Sequence, residues 1–134
     1  MTIFFVILTS TLLFSCSSIE TDSKRLSKLK YMDIADGVDC SNQNGTTLEE
    51  RICLNLKFQK VDSILNQGLD SLINDLPYDK AIKLEDDQVQ WITNRREQSE
   101  KAAEGLRGHM LGIIYLQKMI EITENRIKDL LHTK

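Results

Sequence analysis

The chain has 134 residues with 20 acidic and 17 basic side chains, so its formal net charge is −3, and none of its first 15 residues is charged. One proline, six glycines and eight aromatic residues (four Phe, three Tyr and one Trp) argue against a β-sandwich or barrel, which needs many turns and β-rich strands. The negative charge and the lack of a long Lys/Arg run beside aromatic residues argue against a nucleic-acid-binding protein. The composition favours a small all-α domain.

An apolar segment opens the chain. Residues 1–15 have the length of the apolar region of a secretory signal and are too short to span a bilayer as a stable helix. They end in Leu13-Phe14-Ser15 before Cys16, and a Leu three residues before a Cys that follows a small residue is typical of a bacterial lipoprotein processing site. We predict a signal peptide over 1–15 and lipidation of Cys16, which would anchor the protein in the bacterial cell envelope, facing the periplasm or the cell surface. An ordinary cleaved signal and an interfacial anchor are the alternatives.

Residues 16–39 carry charge in blocks of one sign and have few large apolar residues. The basic block contains Lys24, Arg25, Lys28 and Lys30, and the acidic block contains Asp33, Asp36 and Asp39. This composition predicts a flexible, solvated tether. Contact of the basic block with anionic lipid headgroups is the alternative.

Two cysteines remain once Cys16 is assigned to lipid. Cys40 and Cys53 form an even pair in an oxidising compartment, and a bridge between them would close a loop that contains the turn dipeptide Asn44-Gly45. We therefore predict a disulfide. The alternative is two reduced or metal-binding thiols, but no His lies near them at ligand spacing.

Three long helices are predicted after this loop. Thr47 and Glu50 fit a capping box at the start of the first helix. Its apolar stripe consists of Leu54, Phe58, Val61, Leu65, Leu69, Leu72 and Leu76. A second helix begins at about Asp79 and a third at about His109, with Gly105 and Gly108 between them. Because the loops look short, we predict that residues 40–134 form an antiparallel three-helix bundle.

The second helix places polar side chains on the stripe that faces the core. Gln88, Trp91 and Arg95 share one face, so the amide and the guanidinium need buried partners. The first helix offers Asp62 or Glu50 to pair with Arg95. We interpret this set as a network that fixes the register of the helices. If Arg95 instead faced a partner, the functional site would lie on the second helix.

Residues spaced along the chain resemble a known family. In this order they are Cys40, Thr47, Glu50, Cys53, Asp62, Leu65, Asn66, Gln88, Trp91, Arg95, Thr123 and Arg126. The set resembles the N-terminal domain of the lysozyme inhibitor LprI family over about residues 40–131. This resemblance implies a small helical extracytoplasmic domain, often on a lipoprotein, and lysozyme inhibition for the namesake. The family's second cysteine pair is replaced here by Ser99 and Lys118, and Leu69 stands where many members have Tyr.

No catalytic constellation is visible in the sequence. His109 and His132 have no nucleophile placed beside them by a readable motif, and residues 85–87 are an acidic run better explained by helix capping than by calcium binding. We therefore predict no enzyme, metal site or cofactor. The two functional hypotheses are a tethered protein that binds or inhibits a lysozyme or other peptidoglycan hydrolase, and a structural or assembly module of the cell envelope.

Overall fold

The structure, a computed structural model, describes residues 20–42 and 44–131. Within them lie four α-helices and one 3₁₀ helix: α1 (Asp22–Ser27), the 3₁₀ helix (Lys30–Gly37), α2 (Thr47–Asp75), α3 (Tyr78–Ala102) and α4 (Gly108–Leu131). The described residues contain no strand, so the predicted all-α class is confirmed. The predicted signal peptide, Cys16 and His132 lie outside them. No helix in this part of the chain is both long and apolar enough to cross a membrane.

Helix α2 begins with a capping box one residue earlier than predicted. Thr46 has an extended backbone (φ −72°, ψ 163°), and its Oγ1 accepts a hydrogen bond from the Glu49 amide at 3.2 Å. Glu49 Oε2 accepts one from the Thr46 amide at 2.7 Å. The assignment of the box to Thr47 and Glu50 was therefore wrong, because Thr47 is already helical and both of their side chains are exposed. The helix ends at Asp75, before Pro77.

The core lies where α2 packs against α4. Helix α3 packs mainly on α4 and makes less contact with α2. The central buried side chains are Leu26, Phe58, Leu116, Met119 and Ile120. Burying each large apolar side chain stabilises the fold by roughly 1.5–3 kcal/mol. This core therefore holds the long helices together, and the weaker contact between α2 and α3 leaves room for polar groups.

The flexible tether predicted for 16–39 is wrong for the residues that the structure describes there, since α1 and the 3₁₀ helix fold onto α2. Leu26 and Met32 are buried, and Leu29 is half-buried against the same core. The side chain of Asn55, on α2, donates a hydrogen bond to the Leu26 carbonyl at 3.0 Å. Apolar residues three apart lie on one side of a helix. Burial of these side chains outweighs the tendency of the charged residues to keep the segment in water.

Candidate functional site

The disulfide fixes the entry to α2. Cys40 and Cys53 are bonded, with 5.5 Å between their Cα atoms. The predicted pair is confirmed, and the alternative of reduced or metal-binding thiols is wrong. The bridge joins the loop before α2 to the second turn of that helix, so it holds the end of the 3₁₀ segment close to the bundle.

Arg95 is the centre of a buried group of charges between α1, α2, α3 and α4. Its side chain is 2% exposed. One terminal nitrogen donates to Asp62 Oδ1 at 2.7 Å and to Thr123 Oγ1 at 2.9 Å, and the other donates to Asp22 Oδ2 at 2.9 Å. Short charge-assisted hydrogen bonds of this kind compensate a guanidinium for the loss of water. We call these residues, Arg95, Asp22, Asp62 and Thr123, the Arg95 cluster.

Asp22 brings two further arginines to the edge of the cluster. Arg96 Nε donates to Asp22 Oδ1 at 2.8 Å, and Arg25 donates to the same oxygen at 3.1 Å. Burial raises the pKa of Asp22, but the hydrogen bond and the positive charge of Arg95, with help from Arg25 and Arg96, outweigh burial and lower it below its usual range. Asp22 therefore remains ionised at neutral pH.

Aromatic rings surround the guanidinium of Arg95. Its central carbon lies 4.7 Å from the ring centre of Trp91 and 5.2 Å from that of Phe58. The guanidinium of Arg126 lies 5.5 Å from the Trp91 ring and donates to Gln88 Oε1 at 3.1 Å. Arg95 Nε has no hydrogen-bond partner among the described residues. The neighbouring π-faces give this buried cation part of the stabilisation that a further acceptor would supply.

The structure brings together six of the residues named from sequence: Asp62, Gln88, Trp91, Arg95, Thr123 and Arg126. Leu65 is buried in the core, and Asn66 is half-buried in the wall of a pocket of about 350 Å³ beside Arg95. Glu50 is exposed and takes no part in the cluster, so the alternative that it pairs with Arg95 is wrong. Ser99 is buried and donates to the Arg95 carbonyl at 2.8 Å.

Sequence reasoning missed Asp22, Arg25 and Arg96. Asp22 and Arg25 were assigned to a tether, and Arg96, on α3, was missed because its partner Asp22 lay in that segment. The available signal was Thr21, which caps α1 by accepting a hydrogen bond from the Lys24 amide at 3.3 Å. A capping residue followed by an apolar stripe predicts a helix even where charge is abundant.

The charges of the Arg95 cluster are paired with one another. Both carboxylates lie within hydrogen-bond distance of a guanidinium, and Arg95, Asp22 and Asp62 are all buried. The described residues contain no group of three or more His, Cys, Asp or Glu side chains able to hold a metal ion. Fold and site together define a small, disulfide-braced helical domain with a buried ion cluster.

Comparison with known proteins places this domain in a family. The model of the family "Lysozyme inhibitor LprI" matches residues 40–130, which is more than half of the chain. The chain belongs to the lysozyme inhibitor LprI family. This family is one of inhibitors rather than enzymes, and it implies an extracytoplasmic role with a protein partner such as a lysozyme. No curated protein and no solved structure matches the chain.

Proposed function

We propose that this protein is a lipid-anchored inhibitor of a lysozyme-type cell-wall hydrolase. The observation that carries the proposal is the family match over residues 40–130. The disulfide supports it, because such bonds persist in oxidising compartments outside the cytoplasm. The anchor would be the lipidated Cys16, and the folded body would face the periplasm or the cell surface.

Inhibition would work by occlusion of the hydrolase cleft. A rigid helical body with its internal charges paired can present a fixed surface to an enzyme without rearrangement, which lowers the entropic cost of binding. The net charge of −3 would speed encounter with a basic lysozyme. The inhibitor would contribute no chemical step.

The buried residues would have a structural role in this mechanism. We propose that Arg95 and its partners hold the three long helices as an antiparallel bundle. In support, Gln88 contacts Arg126 while the later α3 residue Arg95 contacts the earlier α4 residue Thr123. A register fixed by these polar contacts would keep the external surface in one shape.

The function is tested by lysozyme inhibition. The full chain, purified in detergent, is titrated into lysozyme acting on a soluble oligosaccharide, and binding is measured in parallel by calorimetry. We expect saturable binding and a loss of hydrolysis that weakens as salt is raised. Absence of both binding and inhibition would refute the proposal.

The membrane anchor is tested separately with Cys16→Ser. We expect the processed variant to leave the membrane fraction while its unfolding transition stays unchanged. A Cys16→Ser product of mature length that remained on the membrane would rule out lipid as the anchor.

A second candidate function is an assembly module that docks on another envelope protein. The observation that favours it is an apolar stripe on the outside of α3, in which Tyr78 is 81% exposed, Val89 60% and Ile82 41%. Pull-down from periplasm with wild type and with Val89→Lys would test it. A partner other than a hydrolase, lost in the variant, would favour the assembly role.

A further inference from the structure

The turn between α3 and α4 has a conformation set by two glycines. Gly105 has φ +81° and Gly108 has φ +60°, values that residues with a side chain rarely adopt. Only Leu106 and Arg107 lie between them. The turn at the end of the two long helices therefore uses backbone conformations that glycine adopts without a steric cost, and the two side chains between the glycines are exposed.

Among the residues that the structure describes, Arg107 is the arginine whose guanidinium contacts no other group. Its side chain is exposed, and it makes no hydrogen bond, ion pair or ring contact with the residues that the structure describes. Each of the other five contacts a carboxylate, an amide or an aromatic ring: Arg25, Arg51, Arg95, Arg96 and Arg126. The guanidinium of Arg107 thus keeps its full donor capacity for a partner.

Exposed apolar side chains surround Arg107 in sequence. Leu106 is 38% exposed, Met110 46% and Leu111 42%. Arginine is enriched among the residues that dominate binding energy, and methionine is enriched in interfaces generally. Apolar residues beside a free arginine can exclude water from its hydrogen bonds, which strengthens them. We call Leu106, Arg107, Met110 and Leu111 the α3–α4 tip.

Mostly acidic residues lie beside the tip. Glu97, Glu100 and Glu104, together with Lys101, line a cavity of about 480 Å³ that Leu111 of the tip also borders. Next to the exposed guanidinium of Arg107 the surface therefore carries three carboxylates against one ammonium group. This arrangement is complementary to an enzyme that has an acidic cleft within a basic surface.

We infer that the α3–α4 tip is the inhibitory surface and that Arg107 enters the cleft of the hydrolase. Glycoside hydrolases of the lysozyme type act with two carboxyl groups that flank the scissile bond. An arginine fork matches a carboxylate in bidentate geometry and would occupy the place of the sugar between them. This inference rests on the proposed function and adds the contact that produces it.

Charge reversal at Arg107 tests the inference. The full chain in detergent is compared as wild type, Arg107→Ala, Arg107→Glu and Lys83→Glu. Lys83 is an exposed cation on α3, about 30 Å from the end of that helix at 1.5 Å per residue, so Lys83→Glu reproduces the change in net charge away from the tip. Circular dichroism establishes that all four proteins are folded, and inhibition is measured against a soluble oligosaccharide.

We expect wild type to raise the KM of lysozyme without changing its kcat. Arg107→Ala should bind roughly 30-fold or more weakly, Arg107→Glu weaker still, and Lys83→Glu within about threefold of wild type. A lysozyme whose catalytic acid is replaced by the matching amide should discriminate less between wild type and Arg107→Ala. Equal inhibition by wild type and Arg107→Glu would overturn the inference and leave the proposed function standing. A wild-type protein that neither binds nor inhibits would remove both.

Discussion

At the scale of single residues, Arg95 shows how a buried charge is tolerated. Removing a guanidinium from water costs several kcal/mol, and the attraction of two carboxylates in a less polar interior offsets much of that cost. Asp62 and Asp22 both lie within 3 Å of it. Because gain and cost are of similar size, we expect the cluster to add specificity to the fold more than net stability. Removal of one member costs more stability than the intact cluster provides, because it leaves an opposite charge buried without a partner.

We predict that Arg95→Ala lowers the free energy of unfolding by about 3–5 kcal/mol, because Asp62 would be left buried without its cation and Asp22 would keep only its contacts at the edge of the cluster. Arg95→Lys should recover little, since an ammonium group cannot reach both carboxylates with the fork of a guanidinium. Thermal and urea unfolding, followed by circular dichroism, measure both changes.

Arg96→Ala is the matched control for this prediction. Arg96 also binds Asp22, but its side chain is 37% exposed, so water replaces the lost contact and the cost should be below about 1 kcal/mol. Wild-type melting temperatures for both Arg95 variants would show that the cluster does not organise the bundle.

We predict that acid lowers the free energy of unfolding through the titration of Asp22. Its pKa in the folded protein is lowered, so it contributes stability that is fully present above its unfolded pKa of about 3.9 and is lost as pH falls through the lower folded value. The free energy of unfolding should therefore fall between about pH 4 and pH 2. In Asp22→Asn this fall should be shallower, because that group no longer takes up a proton on unfolding. Parallel pH curves for the two proteins would contradict the assignment.

At the scale of elements, α1 is a structural part of the domain although it precedes the family match at residue 40. It supplies Leu26 to the core and Asp22 to the Arg95 cluster. A chain that begins at residue 38 would expose the core beneath Leu26 and leave Arg95 with one carboxylate.

We predict that starting the chain at residue 38 lowers the free energy of unfolding by at least about 3 kcal/mol, from the lost Leu26 contacts and the charge left on Arg95. A chain that begins at residue 20 retains α1 and should match the full protein. Urea unfolding compares them. Equal midpoints for the two shortened chains would mean that α1 does not contribute to the fold.

The α3–α4 turn gives a second prediction at this scale. Gly105→Ala should cost roughly 1–2 kcal/mol, because its φ of +81° is unfavourable for a residue with a Cβ, although the space around that position is open. Gly37→Ala is the control, since a Cβ there also meets open space and its φ is not positive. The difference between the two melting temperatures isolates the backbone term, and equal values would refute it.

The long helices were predictable from sequence to within two residues at most of their ends, because each has an apolar stripe and a clear stop such as Pro77 or Gly105. The pairing of Arg95 with Asp62 was predictable for a similar reason, since both lie on inward faces. The partner Asp22 was not, because helix periodicity gives no distance between segments that are far apart in sequence. Its segment was also classified by charge alone, and six helical residues carry too little periodicity to oppose that classification.

At the scale of the whole molecule, a disulfide cross-links the segment that follows the N-terminal helices to the bundle. The Cys40–Cys53 bridge spans 13 positions, and cross-links of this length stabilise mainly by restricting the unfolded chain. We predict that the double variant Cys40→Ala, Cys53→Ala loses about 2–4 kcal/mol of unfolding free energy. Reduction of the wild type should give a similar loss, and an unchanged melting point under both treatments would show that the bridge has no effect on stability.

The docking of α1 also limits how far the body can travel from the membrane. With Cys16 lipidated as proposed, only six residue steps separate the anchor from Asp22, which is fixed in the bundle. A chain of that length spans at most about 20 Å, whereas a flexible tether from residue 16 to residue 40 would span up to about 80 Å. The domain would thus work within one molecular diameter of the bilayer and intercept only hydrolases that arrive at the membrane surface.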